Sequence, residues 1–414
     1  MGLKSKKNNR KNLSEICKIF SGGTPSTKNN EYWNGDIPWL SSGETRNSFI
    51  TNTERKITLD GVKNSSTSLA KKYDVIVASA GQGHTRGQVS LCLIDTYVNQ
   101  SVIVLRTNKE IILPQFLFYN LKSRYAELRQ LSDSHSSRGS LPKNVLSTLD
   151  IVLPSLLQQE KIGKILYDLD SKIQNLKNQN KILEQTAQII FKSWFVNFDG
   201  ITEFEDSKFG KTPKGWRVGT FSEIIDEIES GKRPKGGINH LDSEVPSIGA
   251  ENIIGLGKYN YSKTKFISLE FFNKMNTGKI KENDVLLYKD GASLGRSSLF
   301  RNGFPFEKCC INEHVFILRP SKKISTSFLF FWIDQDFMKQ EIKNLNSNSA
   351  QPGINQPSVL SLPILIPEIN VNKQFEILVE PILKKFFKNI LISNQLSKIQ
   401  DALLPKLMGG EIQL

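Results

Sequence analysis

A chain of 414 residues is longer than one hydrophobic core usually serves, so two or three domains are expected. No apolar run approaches the length of a membrane span and the basic N-terminus has no apolar signal-peptide core, which together predict a cytoplasmic protein. The formal net charge of +14 favours a polyanionic partner. Most of this positive charge lies in residues 1–157, which have 21 basic and 12 acidic residues.

Residues 1–157 are predicted to form a mixed domain of strands and helices. The stretch 21–45 is rich in Gly, Pro, Ser and Asn with interleaved aromatic residues, which suits an extended loop joined to short strands. Strands are predicted at 73–78, 89–94, 101–106 and 149–153, and an amphipathic helix at 114–131. Because the segment 132–144 is polar, we expect it to be a surface loop.

Residues 158–199 predict a long spacer helix. The segment has one early Gly and no Pro, and about forty helical residues at ~1.5 Å each would span ~60 Å. Apolar residues recur at alternating steps of three and four, which is the pattern of a coiled-coil seam. The seam positions are Leu166, Leu169, Ile173, Leu176, Asn180, Leu183, Ala187, Ile190 and Trp194. A long core helix is the alternative interpretation, but the polar Asn180 in the seam favours a partner helix.

The second half of the chain repeats the first. After a polar stretch at 199–215, interpreted as a linker, SGGTP at 21 returns as SGKRP at 230, and IPWLSSGET at 37 returns as VPSIGAENI at 245. YDVIVASAGQG at 73 returns as NDVLLYKDGAS at 283, and NQSVIVLR at 99 returns as NEHVFILR at 312. The offset drifts only between about 208 and 214, which indicates two copies of one domain-plus-helix unit. Residues 200–370 therefore form the linker and second domain.

Residues 371–414 are predicted to hold the second spacer helix and a tail. At the repeat offset its seam contains Phe387, Ile390, Asn394 and Leu404, while Pro381 is expected to start or kink the helix. The simplest closure of such a repeat places the helices antiparallel with one domain at each end. The predicted fold class is α+β: two mixed α/β domains separated by two long antiparallel helices that form a coiled coil, with an internal pseudo-twofold repeat.

Motifs for catalysis or cofactor binding are absent from the sequence. GQGHTRG at 81 has the wrong spacing for a dinucleotide fingerprint and is interpreted as a hairpin loop. No phosphate-binding GxxxxGK[ST] and no HExxH occurs, and the four His residues are far apart. The four Cys residues lack metal spacing and are expected to be buried thiols. The sequence therefore predicts no catalytic residue, no metal site and no cofactor in this chain.

Several longer phrases resemble one known family. They are SGGTPSTKNNEYWNGDIPWLSSGE, NKILEQTAQIIFKSWFVNFD, TPKGWRVGTFSEI, QPGINQPSVLSLPILIP and LLPKLMGGEIQL. They resemble the specificity subunit of type I restriction-modification systems, in the family's order of recognition domain, helix, recognition domain and helix. The departures, Pro381, SGKRP and the interruption of the second seam by Ser397 and Asp401, affect local geometry only.

The resemblance implies a non-catalytic reader of double-stranded DNA. Each domain would read one half of a bipartite target, and the helices would set the gap and dock two modification subunits. Those subunits would supply S-adenosylmethionine-dependent adenine methylation, and two restriction subunits could add ATP- and Mg-dependent cleavage. A coiled-coil scaffold remains an alternative, although a scaffold has no need of two basic, polar-looped domains. A stand-alone methyltransferase or nuclease would need motifs that the sequence lacks.

Base and phosphate contacts require polar and basic side chains on loops. In the first domain the candidates are Thr24, Ser26, Lys28, Ser42, Thr45, Arg46, Gln82, His84, Arg86, Ser137 and Arg138. In the second domain they are Lys232, Arg233, Lys235, Asn252, Lys289, Arg296, Asn348, Gln351 and Asn355. For each one, a solvated loop residue is the alternative. The aromatic group Phe191, Trp194, Phe195 and Phe198 is expected to pack against the first domain or against a modification subunit.

Overall fold

The chain divides into two compact units. The computed structural model describes residues 10–134, 139–234, 244–291, 293–345, 353–412 and 414. Unit 1 takes the chain up to Ile173 together with Leu396–Leu414, and unit 2 takes Gln174–Gln395. Each long helix therefore contributes its first part to one unit and its last part to the other.

Unit 1 is a mixed domain with short helices and strands. Its strands are β1 Arg10–Asn12, β2 Cys17–Ser21, β3 Trp33–Leu40, β4 Phe49–Ile50, β5 Arg55–Ile57, β6 Ser68–Ala70, β7 Val75–Ala78, β8 Val89–Cys92, β9 Thr96–Val98, β10 Val102–Thr107 and β11 Asp150–Val152. Its shorter helices are α1 Leu13–Ile16, α2 Leu59–Lys63, α3 Pro114–Ser123, α4 Tyr125–Ser134 and α5 Lys143–Ser147. The long helix α6, Leu156–Phe195, begins here.

The sheets of unit 1 are built on non-local pairing. A five-stranded sheet has the order β2-β10-β7-β8-β4, and a four-stranded sheet has the order β5-β3-β9-β6. Strands β1 and β11 form a separate antiparallel pair. Strands β7 and β10 are buried at every position from Val75 to Ala78 and from Val102 to Leu105, which explains their uninterrupted apolar sequences. The antiparallel pairing of β7 with β8 makes residues 79–88 a hairpin loop, as the sequence predicts.

Unit 2 repeats this plan. Its strands are β12 Phe204–Ser207, β13 Gly210–Pro213, β14 Arg217–Thr220, β15 Ile225–Ser230, β16 Val245–Ile248, β17 Ile253–Gly255, β18 Lys258–Tyr259, β19 Lys265–Ile267, β20 Val285–Tyr288, β21 Ser297–Leu299, β22 Cys310–Ile311, β23 Val315–Pro320 and β24 Pro363–Ile366. Its shorter helices are α7 Leu269–Lys274, α8 Thr326–Ile333, α9 Asp336–Asn344 and α10 Gln356–Leu360, followed by the long helix α11, Ile369–Met408.

The sheet order confirms the internal repeat. The sheet β15-β23-β20-β21 matches β2-β10-β7-β8, and β19-β16-β22 matches β5-β3-β9. The pair β14–β24 likewise matches β1–β11. In both copies the pairing of β3 with β9, or of β16 with β22, is parallel. Two mixed domains and two 40-residue helices are thus the fold class that the sequence predicts.

The two long helices begin slightly earlier than the periodicity indicates. Helix α6 covers Leu156–Phe195 and α11 covers Ile369–Met408, an offset of 213 at both ends. Helix α11 starts twelve residues before Pro381 and continues through it, so the prediction that this proline starts the helix is wrong. Since each helix follows a strand that ends in the equivalent place, the helix start is set by the domain that precedes it.

Within unit 2 the helices run antiparallel. Asn180 of α6 donates its side-chain amide to the Phe386 carbonyl at 3.1 Å. Phe191 lies eleven residues after Asn180 on α6, and it packs on Phe375, which lies eleven residues before Phe386 on α11. The contacts thus advance along one helix and move back along the other, as antiparallel helices require. Asn389 donates to Asn180 Oδ1 at 3.0 Å and is fully buried, so the polar seam residue has a polar partner across the helix pair.

Three local predictions are wrong. The predicted helix 114–131 is two helices, because the chain leaves helical geometry at Arg124 (φ −102°, ψ 23°). The predicted linker contains the β12–β13 hairpin. The aromatic group on α6 packs into unit 2 and not against the first domain, with Phe195 lying 4.8 Å from Phe328 and 5.0 Å from Phe375, between ring centroids.

The cysteines and the helix lengths agree with what the composition predicts. All four cysteines are buried and unpaired, as expected, and burial raises the pKa of Cys310 to about 11. Within the described residues, neither long helix nor any shorter one has the apolar length that a membrane span requires.

Candidate nucleic-acid interface

We call the globular parts of units 1 and 2 domain 1 and domain 2. In each domain, an arginine–aspartate ion pair lies at the start of a hairpin, β7–β8 in domain 1 and β20–β21 in domain 2. In domain 1, Arg106 on β10 donates from Nε and Nη2 to Asp74 at 3.1 and 2.7 Å. In domain 2, Arg319 on β23 donates from the same atoms to Asp284 at 2.6 and 2.8 Å. Both aspartates also accept from a backbone amide three residues earlier, which closes the turn before β7 and before β20.

In each copy, a glycine brings a polar loop close to the backbone that precedes strand β10 in domain 1 or strand β23 in domain 2. A Cβ on Gly22 would lie 1.9 Å from the carbonyl oxygen of Val98, and a Cβ on Gly231 would lie 1.9 Å from that of Ile311. Only glycine permits this backbone approach. As a result, the residue two positions after the glycine lies beside the residue two positions after the contacted carbonyl. These residues are Thr24 and Gln100 in domain 1, and Arg233 and Glu313 in domain 2.

In domain 1 this places Thr24 against Gln100. Thr24 Oγ1 donates to Gln100 Oε1 at 2.6 Å, and the Gln100 side chain is exposed. Ser26 and Lys28 follow on the same loop with exposed side chains. The structure thereby brings Thr24 into contact with Gln100, which the sequence did not single out, while Ser26 and Lys28 lie further along the same loop.

The loop after β3 supplies fewer free side chains than expected. Thr45 is 3% exposed and donates to the Ser42 carbonyl at 2.7 Å, so it supports the turn. Arg46 is exposed, forms an ion pair with Glu54 and donates to the Gly43 carbonyl at 2.9 Å. Ser42 is half-buried.

The β7–β8 hairpin loop exposes Gln82 and His84. Tyr125 donates to the His84 carbonyl at 2.8 Å and Arg129 donates to the Gly83 carbonyl at 2.6 Å, so helix α4 holds the loop in place. Arg86 differs, because its side chain is only 13% exposed and pairs with Asp133 at 2.8 Å. Arg86 therefore anchors this loop.

In domain 2 the equivalent loops line a cleft of about 660 Å³. Its lining includes the four cationic residues Arg233, Lys263, Lys265 and Arg296, together with Tyr288, Glu251, Asp290 and His314. Lys265 is paired with Glu251 at 2.8 Å. The side chains of Lys263 and Arg296 are exposed, and within the described residues neither has an ion-pair or hydrogen-bond partner. Free cations beside a polar cleft are suited to phosphate contacts.

Charged side chains form a chain across one wall of this cleft. Arg233 Nε contacts Glu313 Oε1 at 2.7 Å. His314 Nε2 lies 3.3 Å from the same oxygen, and His314 Nδ1 lies 2.9 Å from Asp290 Oδ2. The closest contact of the Arg233 guanidinium with Glu313 is thus through Nε, and no hydrogen bond to another described residue engages its Nη groups.

Other predicted residues of domain 2 have structural partners. Asn252 is 1% exposed, accepts from the Gly249 amide at 2.8 Å and donates to the Asn260 carbonyl at 2.9 Å, so it supports the turn after β16. Lys289 lies over the Phe316 ring, with Nζ 4.7 Å from the centroid. Asn355 is exposed and caps α10 through the Ser358 amide at 2.9 Å, and Lys232 is exposed. Ser137, Arg138, Lys235, Asn348 and Gln351 lie outside the described residues.

The predicted seam residues differ in burial. Leu166, Ile173, Leu176, Ala187, Phe387 and Ile390 are buried, whereas Leu169, Asn180, Leu183, Ile190, Trp194, Asn394 and Leu404 are half-buried. Asn394 donates to the Tyr261 hydroxyl at 3.2 Å. Its contact is therefore with the loop after β18, while Asn389 is the partner of Asn180.

Residue type and loop position in the sequence do not single out Gln100, Lys263, Asp290, Glu313 and His314. A usable signal lies in the repeat itself: the motifs NQSVIVLR and NEHVFILR agree at the first Asn and diverge at the next two positions. Positions that differ inside a frame shared by two copies are candidates for residues that distinguish the ligands of the copies.

A chain with two copies of one mixed domain, each followed by a 40-residue helix, defines a narrow class of protein. The family model described as "Type I restriction modification DNA specificity domain" matches residues 5–185 and again 213–400. The chain belongs to this family.

Named relatives and a solved structure agree with this assignment. The chain is 28% identical over 419 residues to the type I restriction enzyme MjaIX specificity subunit of Methanocaldococcus jannaschii, covering 98% of this chain and 93% of that one. It is 25% identical over 401 residues to the HindI specificity subunit of Haemophilus influenzae, covering 83% and 87%. The crystal structure of a type I restriction-modification S subunit from M. genitalium shares the fold, with a TM-score of 0.66, 16% identity and 98% of each chain covered.

Proposed function

We propose that this chain is the DNA sequence-specificity subunit of a type I restriction-modification complex. Each domain reads one half of a bipartite double-stranded target, and the long helices set the gap between the halves. The observation that carries this proposal is the duplication: two copies of one framework present different polar loops, while the family model matches both copies.

The chemistry of the proposed complex belongs to its partners. Two modification subunits supply adenine methylation with S-adenosylmethionine, and two restriction subunits supply ATP- and Mg-dependent cleavage. This chain contributes recognition and no catalytic residue. The names of its relatives, which are specificity subunits, support this division of labour.

Mapping methylated adenines tests the proposal. In a host without adenine methylation, the chain and its modification partner are expected to methylate one bipartite motif. Replacing residues 13–157 with the first domain of another specificity subunit should change one half of that motif and leave the other half intact. A chimera in which both halves change would contradict separate reading by the two domains, and methylation without a bipartite motif would contradict the function itself.

The role of the helices has its own test. Seven residues inserted after Asn180 and seven inserted before Asn389, two positions that face each other in unit 2, keep the heptad frame and add ~10 Å of helix. Each base pair of the duplex occupies ~3.4 Å along its axis. The added ~10 Å of helix should therefore lengthen the gap by up to about three base pairs.

Both half-sites should remain unchanged in this variant. The control is a four-residue insertion at the same sites, which breaks the heptad frame and should reduce methylation. An active heptad variant that methylates the original spacing would contradict a ruler role.

A further inference from the structure

One residue pair occupies the same place in both domains and differs in chemistry. The pair is Thr24 with Gln100 in domain 1 and Arg233 with Glu313 in domain 2. The partners are 76 residues apart in the first copy and 80 in the second, yet both pairs are in direct contact. The glycine contacts described above, Gly22 on Val98 and Gly231 on Ile311, place these side chains face to face in each copy.

The framework around the pair is unchanged between copies. In both domains an Asn side chain accepts from the backbone amide two residues later: Asn99 from Ser101 at 3.1 Å and Asn312 from His314 at 2.9 Å. Strand β7 is followed by a backbone bond from Ser79 to the Ser101 carbonyl at 2.9 Å, and β20 by one from Lys289 to the His314 carbonyl at 3.1 Å. A fixed frame with exchanged side chains is what a specificity position requires.

We propose that this pair is a base-reading position in each domain, with Arg233 reading a guanine in the second half-site and Gln100 reading an adenine in the first. The inference rests on the proposed function. Arginine forms two hydrogen bonds to O6 and N7 of guanine in the major groove, and glutamine forms two to N6 and N7 of adenine. Glu313 and Thr24 are positioning residues.

The geometry of domain 2 suits a guanine contact. Glu313 Oε1 lies 2.7 Å from Nε of Arg233, and among the described residues no hydrogen bond engages the two Nη groups, which are donors suited to a base edge. His314 lies between Glu313 and Asp290, at 3.3 and 2.9 Å, so the carboxylate that contacts Arg233 belongs to a cluster of side chains, and a guanidinium already held by that carboxylate loses less entropy on binding. The Arg233 side chain is 41% exposed, so it is accessible to a base edge.

The geometry of domain 1 suits an adenine contact. An amide reads adenine only if its oxygen and nitrogen point in the required order. The Thr24 hydroxyl donates to Oε1 of Gln100, which leaves Nε2 as a donor and the second lone pair of Oε1 as an acceptor for adenine. No charged partner is present in this pair, in contrast to domain 2.

Exchanging the pairs tests the assignment in the complete complex. The chain carrying Arg233→Thr with Glu313→Gln is co-expressed with its modification partner, and its methylated motif is mapped. One position of the second half-site should lose its guanine requirement, while the first half-site and the gap stay the same. The matched control is Lys214→Thr with Glu203→Gln, an exposed ion pair of 2.8 Å outside the cleft, which should leave the motif unchanged.

An unchanged guanine requirement in the exchange variant, or a change in the first half-site, would overturn the inference. A wild-type complex without any bipartite motif would instead contradict the proposed function, so the two failures are distinguishable. Glu313→Gln retains an oxygen acceptor for Arg233 Nε and should keep the guanine preference, whereas Glu313→Leu should relax it. Equal motifs for these two variants would show that Glu313 does not position Arg233.

Binding measurements decide the outcome if the exchange variant no longer methylates. Duplexes carry 7-deazaguanine, which lacks the N7 acceptor, at each guanine of the second half-site in turn. At one position the wild-type complex should bind about fivefold or more weakly, the lower end of what one bidentate contact contributes. The exchange variant, with its thermal unfolding checked, should show no such loss at that position. An equal loss for both proteins would refute the assignment of Arg233.

Discussion

The two domains share one framework but anchor their helices differently. Asp74–Arg106 and Asp284–Arg319 are the same bidentate pair, and each arginine also donates to the equivalent carbonyl, Leu69 or Lys279. The second copy adds Glu227 and Glu229 of β15 around Arg319. Duplication has thus kept the frame and changed the side chains that surround it.

The long-helix contact is the clearer difference. In domain 1, Tyr119 donates to Asp170 of α6 at 2.9 Å and Lys122 contacts the same carboxylate oxygen at 3.0 Å. Burial and the Asp170 charge raise the pKa of Tyr119, so it stays a hydrogen-bond donor. At the equivalent positions domain 2 has Phe331 and Leu383, both buried in one apolar cluster. The contact between the long helix and the domain is therefore polar in domain 1 and apolar in domain 2.

The largest expected effect comes from removing the arginine of domain 2. Arg319→Leu leaves Asp284, whose side chain is 2% exposed, without its counter-ion, and should lower the free energy of unfolding by roughly 3 to 5 kcal/mol. Arg106→Leu should cost less, because the Arg106 side chain is 32% exposed and faces one carboxylate instead of three. Urea unfolding of both variants measures the difference, and equal costs would contradict the comparison.

The pH dependence of this variant has a defined sign. Burial raises the pKa of Asp284 even with Arg319 present, and loss of the guanidinium should raise it further. A folded-state pKa above the unfolded value stabilises the protein at low pH and loses that stabilisation as the pH rises through the folded-state value. The deficit of Arg319→Leu relative to wild type should therefore shrink as the pH falls. A deficit that grows toward acid pH would contradict this account.

A smaller effect is expected from converting the helix contact of domain 1 to that of domain 2. Asp170→Leu alone leaves the buried Tyr119 hydroxyl without an acceptor and should cost about 1 to 3 kcal/mol. Adding Tyr119→Phe removes the unpaired hydroxyl and should recover part of that loss, because Lys122 also loses the Asp170 carboxylate but keeps its hydrogen bond to Ser48. A double-mutant cycle measures the coupling, and additive losses would show that the two residues act independently.

Periodic and repeated patterns in the sequence were sufficient for the architecture. The two long helices, the two mixed domains and the hairpin at residues 79–88 follow from apolar spacing and from the 208–214 residue offset. Local patterns were less reliable where one backbone angle decides the outcome, as at Arg124, which splits the predicted helix. The interface residues were predicted by type and loop position alone, which is why Thr45 and Asn252 were included although both are buried supports of turns.

The sequence by itself determined the repeat, the helices and the class of residues that the loops present, because these depend on short-range spacing. Tertiary structure decided which side chains meet. Asn180 pairs with Asn389 instead of Asn394, the α6 aromatic residues pack into unit 2, and Arg233 meets Glu313 across 80 residues. These contacts depend on how closely two distant backbone segments approach, as at Gly22 and Gly231. That distance is set by the packing of the whole domain and leaves no periodic trace in the chain.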